Sequence, residues 1–164
     1  MRLLLQVVGL LFIVLLQPAM ATQEWRTHED PEFGFRFSYP SQIFVEEKYE
    51  PPAFRYFASP SEDAKLVVGA WDNAERQTPE QLKRWMLANA EPFGDITYEP
   101  RGRSWFVVSG YRGDKIFYQK VIVTCGGRVA NLLGISYPTV SRATFDQVVE
   151  RMEDTFKPGP RCPS

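Results

Sequence analysis

Phe33, Phe35, Phe37 and Tyr39 recur at every second position, with Arg36 and Ser38 between them. Side chains alternate sides along a strand, so this stretch predicts a half-buried strand that Pro40-Ser41 ends. Residues 46–52 carry charge and finish in Pro51-Pro52, which reads as a loop. Segments 54–57 and 65–71 flank the cluster Ser59-Pro60-Ser61-Glu62-Asp63 and predict a hairpin.

The period then changes. In Thr78-Pro79-Glu80-Gln81 the Thr78 side chain can accept from the Gln81 backbone, and Gln81 can reach back to Thr78. Pro79 at the first helical position loses no needed donor. Leu82, Trp85 and Met86 continue at helical spacing, which predicts a helix to about Ala90, ended by Pro92, Phe93 and Gly94. Four strands follow, at 96–101, 105–111, 115–125 and 128–137, separated by Gly102, Arg112-Gly113-Asp114 and Gly126-Gly127. Turns this short join only antiparallel neighbours, so the region predicts a meander. A last helix begins near Ser141, with Ser141 as cap and Val140 stapled onto Phe145. Phe145, Val148, Val149, Met152 and Phe156 make its apolar stripe, and Pro158-Gly159 stops it.

Segment 115–125 is apolar on both sides: Ile116, Tyr118 and Ile122 on one, Phe117, Val121 and Val123 on the other. A strand of this kind is covered on both faces. The fold class expected is α+β, a mostly antiparallel sheet of about six to seven strands with helices on both faces, an α/β/α sandwich. A sheet with both helices on one face is the alternative.

The first residues change the compartment. Met1-Arg2, an apolar run over 3–16, then Gln17-Pro18 and Ala19-Met20-Ala21 have the three parts of a cleavable secretion signal over residues 1–21. The run is shorter than the roughly 20 apolar residues a membrane span needs. Residues 22–32 are polar and read as an exposed lead-in, with a single domain over 33–164. Without the leader, 18 basic side chains face 20 acidic ones. That balance offers no basic footprint for nucleic acid and no polybasic patch for anionic lipid. Aromatic residues make up 14% of the chain, enough for a packed core. In an exported protein, Cys125 and Cys162 suggest a disulfide. Closing that segment stabilises by roughly 4 kcal/mol on chain entropy. Two free thiols are the other reading. No Asn-x-Ser/Thr site for N-glycosylation occurs. A periplasmic or secreted location follows, with no stable membrane insertion once the signal is removed.

Gly34-Phe35-Arg36-Phe37-Ser38-Tyr39-Pro40 resembles the opening strand of the PsbP-like fold. Tyr137-Pro138, Phe145-Asp146-x-Val148-Val149 and Phe156-x-Pro158-Gly159 resemble the last strand and closing helix of small exported bacterial proteins of that type. The order of elements agrees over residues 33–159. Ile43 and Phe44 stand where the family often has a Trp. The resemblance implies an α/β/α sandwich and a non-catalytic binding or assembly subunit. It carries over no functional residue, because no motif matches one.

Residue chemistry narrows the classes further. His28 is the one histidine and falls in the polar lead-in, away from both cysteines. Only three Cys or His residues exist, too few for a structural zinc site. No acidic spacing matches a calcium loop, and no Gly-rich stretch matches a phosphate loop. Arg112-Gly113-Asp114 reads as a turn rather than an adhesion signal. No cofactor is expected. Glu46-Glu47 and Glu62-Asp63 read as solvated loop charges, although Glu47 and Asp63 are the acids a small envelope hydrolase would use. Trp71-Asp72, Arg103 with Trp105, and Tyr111-Arg112 lie at strand ends. If those ends share one rim, they form a binding patch, since Trp, Tyr and Arg dominate interface hot spots. If they do not, the tryptophans are core or edge residues. The function expected is a non-catalytic binding or assembly module for an envelope protein or a small ligand. An envelope hydrolase and a purely structural envelope protein are the alternatives.

Overall fold

The computed structural model describes residues 24–47, 54–61, 63–89 and 94–162. The leader over residues 1–21, Glu62 and the 92–93 part of the first helix stop lie outside the described residues. Strands β1 (Trp25–Glu29), β2 (Arg36–Pro40), β3 (Val45–Glu47), β4 (Phe54–Ala58) and β5 (Lys65–Asp72) precede helix α1 (Pro79–Asn89). Strands β6 (Asp95–Tyr98), β7 (Trp105–Arg112), β8 (Lys115–Thr124) and β9 (Val129–Pro138) lead to helix α2 (Arg142–Thr155).

The main sheet has seven antiparallel strands in the order β3-β4-β5-β9-β8-β7-β6. The expected meander is its second half. The last meander strand, β9, returns to the middle and joins the β4–β5 hairpin to β8. Local turns dictate the hairpins, but only long-range pairing places β9 beside β5.

Two apolar clusters form, and β8 contributes to both by simple alternation. Ile116 and Tyr118 enter one, with Phe37, Phe57, Leu133, Phe145 and Met152. Phe117, Val121 and Val123 enter the other, with Leu82, Met86 and Phe106. The first holds the α2 stripe and the second the α1 stripe.

The local signals hold well at α1. The Thr78 amide donates to Gln81 Oε1 at 2.8 Å, and the Gln81 amide donates to Thr78 Oγ1 at 3.3 Å. The reciprocal pair satisfies two donors that a helix start would leave bare.

Three expectations need correction. The lead-in over residues 22–32 is not simply exposed, because Trp25–Glu29 forms β1 and pairs with β2. The 33–39 strand therefore belongs to a separate two-stranded sheet. Such a ribbon is marginal alone, and it holds because Phe35 and Phe37 are fully buried in the first cluster. Each contributes on the order of 2 kcal/mol. The helix start at Ser141 also differs. A 3-10 turn over Thr139–Ser141 leads into α2, the Ser141 side chain makes no cap bond, and Val140 is 93% exposed. The staple fails because the extra turn swings Val140 away from Phe145. Finally, His28 is half-buried against the Phe35 and Phe37 rings, at 6.3 and 5.8 Å.

Cys125 and Cys162 are joined by a disulfide with their Cα atoms 5.5 Å apart. It ties the segment after α2 to the β8–β9 turn. Among the described residues no helix is long and apolar enough to cross a membrane.

A tyrosine-lined groove as candidate functional site

Cross-strand register gathers tyrosines on the Tyr118 side of the sheet. Tyr98 pairs with Ser109, and Ser109 pairs with Tyr118. In the next row Tyr111 pairs with Ile116, which pairs with Tyr137. Directly paired residues share a face, so four tyrosines from β6, β7, β8 and β9 line one surface.

Helix α2 supplies the opposite wall. Asp146, Val149, Glu150 and Glu153 recur at three- and four-residue spacing and line the same groove as Arg142. The groove encloses about 430 Å³, within the usual range for ligand sites.

Two polar clusters stitch the walls together. Tyr118 donates its hydroxyl to Glu153 Oε2 and Lys120 donates to Glu153 Oε1, each at 2.6 Å. Tyr137 donates to Asp146 Oδ1 at 2.8 Å, and Arg142 reaches Asp146 Oδ2 at 3.1 Å. Arg142 also donates to the Tyr111 hydroxyl at 3.3 Å.

These contacts set the protonation states. Burial pushes the Tyr118 phenol far above its ordinary range, and the bond to Glu153 adds to this. Burial, then the bond to Asp146, does the same to Tyr137. Burial alone would raise the Glu153 carboxyl. The bonds from Lys120 and Tyr118, with the Lys120 charge, outweigh it and hold the carboxyl below its ordinary range. At neutral pH the groove therefore presents neutral phenols and an ionised carboxylate.

The six residues expected at a rim fall into several places. Trp71 and Asp72 line a cavity with Trp85. Arg103 lies near the start of α1 with Arg101 and Glu80. Trp105 packs into the first cluster with the Lys120 ammonium 5.4 Å from its ring centroid. Trp71 pairs with Ala130, Ala130 with Val123, and Trp105 with neighbouring Ile122. Those two tryptophans thus share one end of the sheet but face opposite clusters. Tyr111 and Arg112 stand at the other end, where Arg112 pairs with Lys115. Tyr111 alone of the six lines the tyrosine groove, whereas Arg112 lines a second groove with Glu47. Asp63 accepts from Ser61 at 2.6 Å and Ser59 at 2.7 Å, which holds its carboxyl below the ordinary range.

The groove residues Tyr98, Tyr118, Tyr137, Arg142, Asp146 and Glu153 escaped the sequence reading. Arg142 and Asp146 stand four residues apart on a helix, a usable local signal. The tyrosines carry none, since register alone brings them together.

No family model matches the chain, and no curated protein matches it. The fold does have solved counterparts. Cyanobacterial PsbP (CyanoP) from Synechocystis sp. PCC 6803 superimposes with a TM-score of 0.59 at 15% identity, covering 85% of this chain and 95% of that one. The Ran-binding protein Mog1p of Saccharomyces cerevisiae gives a TM-score of 0.59 at 10% identity, covering 83% of this chain and 96% of that one. Identities this low speak for the fold alone, and on these superpositions the chain has the PsbP-like fold.

Proposed function

We propose that this chain is an exported, non-catalytic binding module that takes a basic segment of a partner protein into the tyrosine groove. The α1 and α2 layers cover opposite faces of the sheet in this reading, as the alternation of Phe117 and Tyr118 between the two clusters supports. The observation that carries it is the groove's character. Lys120 pairs with Glu153 and Arg142 with Asp146, which leaves Glu150 without an ion pair among the described residues, set in a lining of four phenols. Tyrosine offers large contact area at low entropic cost, and uncompensated acid selects a basic partner. Tyr98 stays 57% exposed at the mouth, as a contact residue must. The structural neighbours lend support by fold, and one of them is itself described as a Ran-binding protein. The Cys125–Cys162 bond supports an oxidising compartment outside the cytoplasm.

A photo-crosslinking residue placed at Tyr98, with a control at the exposed edge residue Val45, tests this in cells. Adducts from Tyr98 that vanish on Glu150→Lys are expected. Adducts only from Val45, or adducts indifferent to Glu150→Lys, would reject the groove as the docking site. The mass of the protein recovered from the cell envelope reads the proposed export and cleavage after Ala21. A hydrolase remains the second reading on sequence grounds, although the hydrogen bonds at Asp63 favour an ionised carboxylate over a proton donor.

A further inference from the structure

A second cavity lies on the other cluster, where α1 meets the end of β5. It encloses about 310 Å³, at the small end of ligand sites. Its aromatic walls are Trp71 and Trp85. Trp85 is 53% exposed, which leaves much of its indole open to a ligand. Trp71 is half-buried, and the Phe54 ring stacks on it at 6.0 Å.

The remaining lining is mixed, and its only charges are acidic. Asp72 and Glu75 both border the cavity, and none of its eight lining residues is basic. Among the described residues neither acid forms an ion pair. Two indole faces and two unneutralised carboxylates around one hollow favour a cation.

The loop that presents Glu75 is built, not loose. Asn73 is 3% exposed, and the chain wraps around its side chain. Its Nδ2 donates to the Gln77 carbonyl at 2.9 Å and the Gly127 carbonyl at 2.7 Å, while its Oδ1 accepts from the Gln77 amide at 3.2 Å. Arg76 is held at a φ of 49°, in the left-handed region. Such backbone costs energy at a non-glycine residue and persists only where the surroundings impose it, often at binding sites.

We propose that the Trp71–Trp85 cavity binds an organic cation of the quaternary ammonium class, its methyl groups against the indoles and its charge beside Asp72 and Glu75. A bare metal ion or a primary ammonium suits it less, because a strongly hydrated charge gains little from an indole face. This site is independent of the tyrosine groove.

The test titrates the full chain with choline chloride by calorimetry and indole fluorescence. The neutral isostere 3,3-dimethylbutan-1-ol and glucose serve as comparison probes. Saturable choline binding is expected, with the isostere weaker by on the order of tenfold. Glu75→Gln and Trp85→Ala change exposed side chains, and each is expected to weaken choline by about tenfold. Absence of saturable choline binding, equal binding of the isostere, glucose binding in place of choline, or indifference to both variants would overturn the proposal. The isostere comparison uses the unaltered protein, so it decides even if a variant misfolds.

Discussion

Tyr118 donates its hydroxyl to Glu153 at 2.6 Å, joining the middle of the long strand β8 to the last turns of α2. The same carboxylate takes the Lys120 ammonium, whose side chain is only 17% exposed. One acidic residue thus satisfies two partly buried donors and fixes the distance between the groove walls.

Glu153→Gln keeps the shape and removes the charge. The partly exposed site screens the pair, so the expected cost is about 1 kcal/mol. The sign of its pH dependence follows from the depressed folded value. Such a carboxyl stabilises above its unfolded pKa and loses that contribution as pH falls through the folded one. The stability gap between wild type and variant is therefore expected to narrow as pH falls below about 4.3, the unfolded value. Urea midpoints at neutral and acid pH measure it.

His28 titrates in a different window. Burial lowers its pKa and outweighs the upward pull of Glu46 and Asp30, while the Arg55 charge acts in the same direction as burial. Its buried Nε2 has no hydrogen-bond partner among the described residues. The unfolded chain binds that proton more readily, so the contribution of a neutral His28 is present above about pH 6.5 and is lost as pH falls towards the folded value. His28→Phe removes the titrating group and the orphan nitrogen together. The drop in urea midpoint between pH 7 and pH 5 is expected to be smaller in this variant.

Reducing the disulfide, or Cys125→Ser, removes the link between the C-terminal segment and the β8–β9 turn. The expected loss is about 4 kcal/mol, a fall in Tm on the order of 10 °C. Calorimetry with and without reductant reads it directly.

Gly110 lies against the edge strand. A Cβ there would stand 1.9 Å from the Asp95 carbonyl oxygen, a backbone atom that cannot step aside. Gly110→Ala is expected to lift β6 from β7 at a cost of about 1–3 kcal/mol. Amide exchange should quicken at Ile96 and Thr97 while β8 and β9 keep their protection. Displacing β6 also moves Tyr98, so crosslinking from the groove is expected to fall in parallel.

How far the sequence could be read depends on the range of each interaction. The Thr78–Gln81 box joins residues three positions apart and both its bonds form as expected. The meander was legible for the same reason, since Gly113-Asp114 and Gly126-Gly127 dictate reversals locally. The Val140 staple was equally local yet failed, because a 3-10 turn intervened. β1 was missed because Trp25–Glu29 lacks an apolar period of its own and is a strand only through its partner β2. The rim suffered from register: Trp71 and Trp105 are strand-end residues at one end of the sheet, but parity sends their side chains to opposite clusters.

Residue order alone, acting through periodicity, capping and turn chemistry, was enough to dictate two helices, a hairpin and a four-strand meander with apolar residues on both sides of its longest strand. Those are effects of neighbours within a few positions, where chain entropy permits little choice. The insertion of β9 between β5 and β8, the pairing of the polar lead-in and the meeting of Tyr98, Tyr111, Tyr118 and Tyr137 with α2 were settled only by tertiary structure. Such contacts join residues distant in sequence, and a one-residue change of register would have turned every one of those tyrosines to the other face.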